Sequence, residues 1–299
     1  MTKVLSIRAN EPTTAVVRLL LRQQFSHWAD LPITPVRHQG VDNRTFKLGS
    51  NLSVRLPSAD RYAPQVDKEH RWLSVLAPHL PVSIPIPVAR GEPCEDFPRP
   101  WSVYQWLPGQ TLAETPPSDL EHLAVDLADF LRALHRAPTD GAPAAGEHNF
   151  FRGAAFEVYA EETLRAASRL QHPVHEITSA WVAEAVTVPY LGESQWVHGD
   201  ISAGNLLVNG DHLAAVIDFG CSAVGDPACD LVPAWTIFTG NSRRLFISHL
   251  GLDTSTWVRA RAWALWKAAI TINDPDACPG TATLAQRTLD ELLQSVDDC

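Results

Sequence analysis

Residues 196–220 read WVHGDISAGNLLVNGDHLAAVIDFG. Two short apolar runs, LLV (206–208) and LAAVI (213–217), flank Asn209-Gly210. An Asn-Gly pair between apolar runs is the strongest local signal for a β-hairpin. Antiparallel pairing would bring the outer ends of the two strands to the same side. Asn205 enters the first strand and Asp218 leaves the second, so the pairing itself draws an amide and a carboxylate together. Asp200 sits one loop earlier, after His198 and Gly199. Asp and Asn at strand ends are ordinary turn formers. Hard oxygen donors gathered in this way also suit Mg²⁺ and a phosphate.

Upstream of this hairpin the chain divides by character. TFKL (45–48) and LSVRL (52–56) alternate around Gly49-Ser50, which predicts a second hairpin preceded by the polar turn QGVDNR (39–44). VDKEHRWLSVL (66–76) predicts a helix capped by Asp67. The four prolines of LPVSIPIPVARGEP (80–93) demand extended connection or edge strand. WSVYQWL (101–107) is β-rich and stops at Pro108-Gly109. Beyond that point helices dominate. SDLEHLAVDLADFLRALHR (118–136) carries an apolar stripe, with Ser118 and Glu121 in capping-box spacing. FEVYAEETLRAASRL (156–170), ITSAWVAEAV (177–186), TWVRARAWALWKAAITI (256–272) and a segment near 284–296 also read as helical. The pattern predicts an α+β chain, with a β-rich N-terminal lobe over 1–106 and a mainly helical C-terminal lobe over 107–299.

Composition narrows the partners. The chain of 299 residues has 45% hydrophobic and 19% charged residues and a formal net charge of −10. That charge argues against nucleic acid, which needs a basic surface, and is compatible with a cationic small molecule. The five cysteines are scattered with no CxxC pair, so neither zinc nor a disulfide framework is expected. The opening MTKVLSIRANEP lacks the apolar core of a signal peptide, and no apolar stretch approaches the ~18 residues that span a membrane. A cytoplasmic protein is the expectation.

The order and spacing of the polar residues go further. His198-Gly199-Asp200, then Asn205 five residues after the Asp, then Asp218-Phe219-Gly220, resemble the catalytic loop and metal-binding segment of protein kinases. The glycine of His-Gly-Asp, with GDPACDL (225–231), makes the chain similar to the aminoglycoside phosphotransferase family, protein-kinase-like small-molecule kinases related to choline kinases. Weaker agreement lies at GVDN (40–43), LSVRLP (52–57), EHRWL (69–73) and WSVYQWLPG (101–109). No Ala-Pro-Glu element follows Asp-Phe-Gly, which disfavours a protein kinase.

The resemblance implies a protein-kinase-like two-lobe fold and a role for each matching residue. Asp200 would orient the acceptor hydroxyl and receive its proton. Asn205 and Asp218 would hold Mg²⁺, with His198 and Asp230 as structural support. Arg55 would contact the phosphates of ATP and pair with Glu69, where protein kinases have Lys. The Gly-rich loop is absent, and QGVDNR with Asn43 stands in its place. The connection containing Tyr104 and Trp106 would hold the purine through backbone groups. Glu157, Glu161, Glu162, Asp274 and Asp276 are acidic candidates for an acceptor site, since aminoglycosides are polycations. The expected activity is transfer of the γ-phosphate of a nucleoside triphosphate to a hydroxyl of a small molecule, an aminoglycoside first. A macrolide, amino alcohol or sugar metabolite as acceptor, or a catalytically silent kinase-like binding protein, are the alternatives.

Overall fold

The computed structural model describes residues 12–37, 39–170, 174–275 and 279–294. The chain forms two compact units, Met1–Pro78 with Ile84–Pro108, and His79–Ser83 with Gly109–Cys299.

The first unit contains helix α1 (Thr14–Gln24), strands β1 (Ile33–Pro35), β2 (Asn43–Leu48) and β3 (Leu52–Pro57), helix α2 (Ala63–Leu76), and strands β4 (Pro87–Gly91) and β5 (Trp101–Gln105). The strands form one antiparallel sheet in the order β1-β2-β3-β5-β4. Leu48 pairs with Leu52 across the predicted hairpin. Strand alternation sends Phe46, Leu48, Val54, Leu56, Trp101 and Val103 into a core shared with Val17, Leu20 and Leu21 of α1. The predicted Asp67 cap is not formed. α2 begins at Ala63-Pro64, where a proline in the first turn suits the helix start. Asp67 therefore lies inside the helix and accepts from Arg90 Nε of β4 at 2.6 Å.

The second unit contains β6 (Gln110–Thr111), α3 (Glu121–His135), α4 (Glu157–Ala167), α5 (Val174–Thr187), β7 (Gln195–Val197), β8 (Leu206–Asn209), β9 (His212–Val216), β10 (Ala223–Gly225), α6 (Pro233–Thr236), α7 (Gly240–Leu250), α8 (Thr254–Ile272) and α9 (Pro279–Gln294). Two small antiparallel sheets, β6-β8-β9 and β10-β7, carry the loops between the helices. His79–Ser83 belong to this unit, where the Ser83 carbonyl accepts from Val216 N–H at 3.1 Å.

The apolar stripe of α3, with Leu123, Leu127, Phe130, Leu131 and Leu134 fully buried, packs against α7. Its start differs from the expected capping box. Glu121 is the first helical residue rather than the third, and Asp119 Oδ1 accepts its N–H at 2.8 Å. The β8–β9 turn also sits one residue later than the Asn-Gly reading. Asn209 pairs with His212, so Gly210 and Asp211 turn the chain, and the positive φ of 65° falls on Gly210.

Helix α8 packs against α4, α5 and α9 and is tied to the segment after β10 by a buried ion pair. Arg259 donates to Asp226 from Nε at 2.7 Å and from Nη2 at 3.2 Å, with both side chains only 3% exposed. Asp226 also accepts Ala228 N–H at 3.1 Å as the cap of a 3₁₀ turn. Removing one partner of a buried pair strands the other charge. Arg259→Met is expected to lower unfolding stability by about 3–5 kcal/mol, measured by chemical denaturation. A loss under about 1 kcal/mol, the range of exposed pairs, would show that the pair is not the anchor of α8.

Candidate active site

The loop between β7 and β8 is organised by Asp230. Its fully buried carboxylate accepts His198 N–H at 2.6 Å and Gly199 N–H at 2.7 Å. Burial raises the Asp230 pKa, and these two donors oppose the rise by stabilising the carboxylate. Gly199 takes φ +83°, and a Cβ there would lie 2.5 Å from the Cys221 carbonyl oxygen and 2.9 Å from Arg152 Cβ. The backbone conformation and the crowding both require glycine.

His198 supports the loop through its ring. Asp200 N–H donates to Nδ1 at 3.2 Å, so Nε2 carries the proton and donates to the Ile217 carbonyl at 3.0 Å. The ring also packs edge-on against Phe219, centroids 4.6 Å apart. His198 thus ties the Asp200 loop to the end of β9.

The hairpin meets its expectation at the other end. Ile217 N–H donates to the Asn205 carbonyl at 2.9 Å, which closes the open end beside Asp218. Asn205 Nδ2 donates to the Asp200 carbonyl at 2.9 Å and to Asp200 Oδ2 at 3.1 Å. Both amide hydrogens point at Asp200, so Oδ1 faces elsewhere and is available as an oxygen ligand. Asp218 adopts φ 68° and ψ 67°, a left-handed conformation that is uncommon outside glycine. Held strain of this kind costs about 1–3 kcal/mol and collects at functional sites. An amide oxygen and a carboxylate at one hairpin end fit the hard-oxygen preference of Mg²⁺.

Asp200 has a partner that the sequence reading missed. Lys267 of α8 donates to Asp200 Oδ1 at 2.9 Å. Burial alone would raise the Asp200 pKa, but the charge and hydrogen bond of Lys267 draw it below the ordinary value. Asp200 is therefore a carboxylate at neutral pH. Arg152 stands nearby, its guanidinium 4.2 Å from the Trp266 ring centroid, 5.5 Å from that of Trp263 and 5.3 Å from that of Tyr159. Arg152, Asp200, Trp263, Trp266 and Lys267 line a cavity of ≈ 20 Å³, room for about one water. The available signal for Lys267 was a lone cation inside an otherwise apolar helical run, WALWKAAI. Packing of the tryptophans concealed it.

In the first unit Arg55 and Glu69 meet as expected. Arg55 Nη1 lies 3.4 Å from both Glu69 carboxylate oxygens, and Glu69 is 4% exposed. Tyr104 is buried and donates its hydroxyl to Glu69 Oε2. Burial first, then the Glu69 charge, hold the Tyr104 phenol well above its ordinary pKa, so it remains the donor. The Tyr104 side chain thus supports the Arg55–Glu69 pair. Trp106 is half-buried with Lys47 Nζ 4.9 Å from its ring centroid, and its backbone N–H donates to the Asn51 carbonyl at 2.8 Å. Asn43 is buried at the start of β2.

The acidic candidates are dispersed. Glu157 and Asp274 are exposed. Glu161 pairs with Arg165 at 2.8 Å on the exposed face of α4. Glu162 accepts from Trp266 Nε1 at 2.7 Å. Asp276 lies outside the described residues. None of the four described candidates lines the cavity beside Asp200.

A family model described as a phosphotransferase enzyme family matches residues 33–263, which include Arg55, Glu69 and the whole of the 198–230 region. The chain belongs to the phosphotransferase enzyme family. Among curated members it is 27% identical over 164 residues to an aminoglycoside 3'-phosphotransferase of Escherichia coli. That match covers 51% of this chain and 59% of the relative, so the chain spans little more than half of the relative's length. The fold of the family extends over most of this chain. A GDP complex of aminoglycoside 2'-phosphotransferase-IIIa superposes with a TM-score of 0.75 at 19% identity, covering 93% of this chain and 99% of the other. A macrolide 2'-phosphotransferase from Brachybacterium faecium gives a TM-score of 0.62 at 19% identity, covering 91% and 97%. No helix among the described residues is long and apolar enough to cross a membrane.

The glycine of His-Gly-Asp yields a direct prediction. Gly199→Ala forces a Cβ against the Cys221 carbonyl in a left-handed conformation. The expected cost is at least about 1–2 kcal/mol, read as a lower Tm. An unchanged Tm would show that the loop has another accessible conformation.

Proposed function

We propose that this protein transfers the γ-phosphoryl group of a nucleoside triphosphate, ATP with Mg²⁺, to a hydroxyl of a small molecule. The observation that carries this reading is the gathering of Asp200, Asn205 and the strained Asp218 at one end of a hairpin, in a chain of the phosphotransferase enzyme family. Asp200, kept ionised by Lys267, accepts a hydrogen bond from the acceptor hydroxyl and takes its proton as the oxygen attacks phosphorus. Asn205 turns its amide hydrogens to Asp200, which fixes the carboxylate and frees its own oxygen. That oxygen and the Asp218 carboxylate would hold Mg²⁺, which when bound neutralises charge on the phosphates. Arg55, fixed by Glu69, is the phosphate-binding cation of the first unit, and Asn43 and the Trp106 connection complete the nucleotide contacts in this reading. His198 and Asp230 hold the loop.

The names of the relatives support an aminoglycoside or macrolide as acceptor. A second reading, another hydroxylated small molecule, is favoured by the cations rather than carboxylates beside Asp200. Turnover of magnesium–ATP across hydroxylated antibiotics and metabolites separates them. Magnesium–ATP binding with no transfer to any acceptor would instead mark a silent binding protein.

Asp200→Asn is expected to lower turnover by about 10²–10⁴-fold, the usual contribution of a positioned base, with magnesium–ATP binding largely kept. Asp218→Ala is expected to weaken magnesium–ATP binding itself, measured by calorimetry. Near wild-type turnover in Asp200→Asn would remove that residue from the chemistry.

A further inference from the structure

An acceptor hydroxyl must come within about 3 Å of Asp200 to lose its proton there, so whatever surrounds that carboxylate meets the acceptor. The surroundings are cationic. Lys267 and Arg152 line the same cavity as Asp200, and Asp200 is the one carboxylate among its lining residues. Lys267 is spent on Asp200 at 2.9 Å, and these two charges cancel. Arg152 acts on Asp200 through its charge but forms no ion pair among the described residues. Its guanidinium is stacked on Trp266 and flanked by Trp263 and Tyr159, which fixes its plane. Its Nη1 is buried and has no hydrogen-bond partner among the described residues. A guanidinium with an unsatisfied donor and no carboxylate partner, in the lining of a cavity, favours an anion there.

From this we propose that the acceptor is a hydroxyl compound bearing a carboxylate, held by Arg152 while its hydroxyl reaches Asp200. The proposal rests on the phosphotransferase reading above and names the substrate class of that site. The cavity has room for about one water, which suits one carboxylate oxygen at Arg152, and the Asp200 side chain, 40% exposed, is open to the hydroxyl from outside it. A planar guanidinium locked between aromatic rings is preorganised for a carboxylate. The ammonium groups of a polycationic aminoglycoside would instead be placed against Arg152, the cation of the cavity that no carboxylate pairs. None of the described acidic candidates lines the cavity: Glu157 and Asp274 are exposed, Glu161 is paired with Arg165, and Glu162 stands behind Trp266.

The test compares matched acceptors on the wild-type protein. A set of hydroxy acids, each with its uncharged carboxamide, is assayed beside kanamycin for magnesium–ATP-dependent ADP release and for phosphorylated product by mass spectrometry. The expected result is a kcat/KM at least tenfold higher for a hydroxy acid than for its amide, with kanamycin below both. Arg152→Gln is expected to erase the acid–amide difference by raising KM for the acid, and Arg152→Lys to keep part of it. An amide turned over as well as its acid, kanamycin preferred, or no hydroxy acid turned over, each overturns the proposal. The acid–amide comparison needs no variant, so a folding defect in Arg152→Gln leaves it decisive. Magnesium–ATP affinity is measured alongside by calorimetry. Its absence would sink the phosphotransferase reading, whereas binding with the wrong acceptor preference sinks only the carboxylate assignment.

Discussion

The candidate site depends on one desolvated carboxylate. Asp230 is fully buried, its carboxylate accepts the consecutive N–H groups of His198 and Gly199, and this clamp sets the path of the chain into Asp200. Two consequences follow. The backbone at 199 is driven to positive φ beside the Cys221 carbonyl, which leaves room for glycine alone. The His198 ring is then aimed so that one nitrogen receives the Asp200 N–H and the other donates to Ile217. A single buried acid thereby couples the loop before Asp200, the end of β9 and the 3₁₀ turn after β10.

Helix α8 supplies the complementary constraint. Arg259 anchors it to Asp226 in the interior, and eight residues further on Lys267 reaches Asp200. At 1.5 Å per residue these points lie about 12 Å apart along the axis. One helix therefore spans from the structural end of the 198–230 region to its chemical end. The placement of Lys267 is as firm as the buried pair that holds α8. Asp200 is bounded on both oxygens, by Lys267 on one and Asn205 on the other, so its orientation does not rely on a bound ligand.

What the sequence made legible follows from the range of the interactions. The β8–β9 hairpin, the Asn205–Asp218 convergence and the α3 stripe are set by local pattern, and the structure has all three. The Arg55–Glu69 pair was reached through motif resemblance and is present. Helix starts at α2 and α3 were misplaced because Asp67 and Ser118 are capping residue types whose alternatives, Pro64 and Asp119, lay within a turn of them. Lys267 with Asp200 and Arg259 with Asp226 are 67 and 33 residues apart, and no local pattern encodes which cation finds which acid. The aromatic bed of Arg152 was hidden for the same reason, since Tyr159, Trp263 and Trp266 come from two separate helices.

Charge shows most clearly why a global quantity misleads about a local site. A net charge of −10 is compatible with a cationic acceptor only if the acidic residues gather where the acceptor binds. Exposed carboxylates act through water and salt, and at physiological ionic strength their influence decays over about 8 Å. Lys267, 2.9 Å from Asp200, and a half-buried Arg152 beside the same cavity act on an incoming acceptor at contact range, well inside that distance. The surface of this chain is acidic in sum, while the cavity beside Asp200 is lined by two cations and one carboxylate. It is this local balance, not the total, that an acceptor has to match.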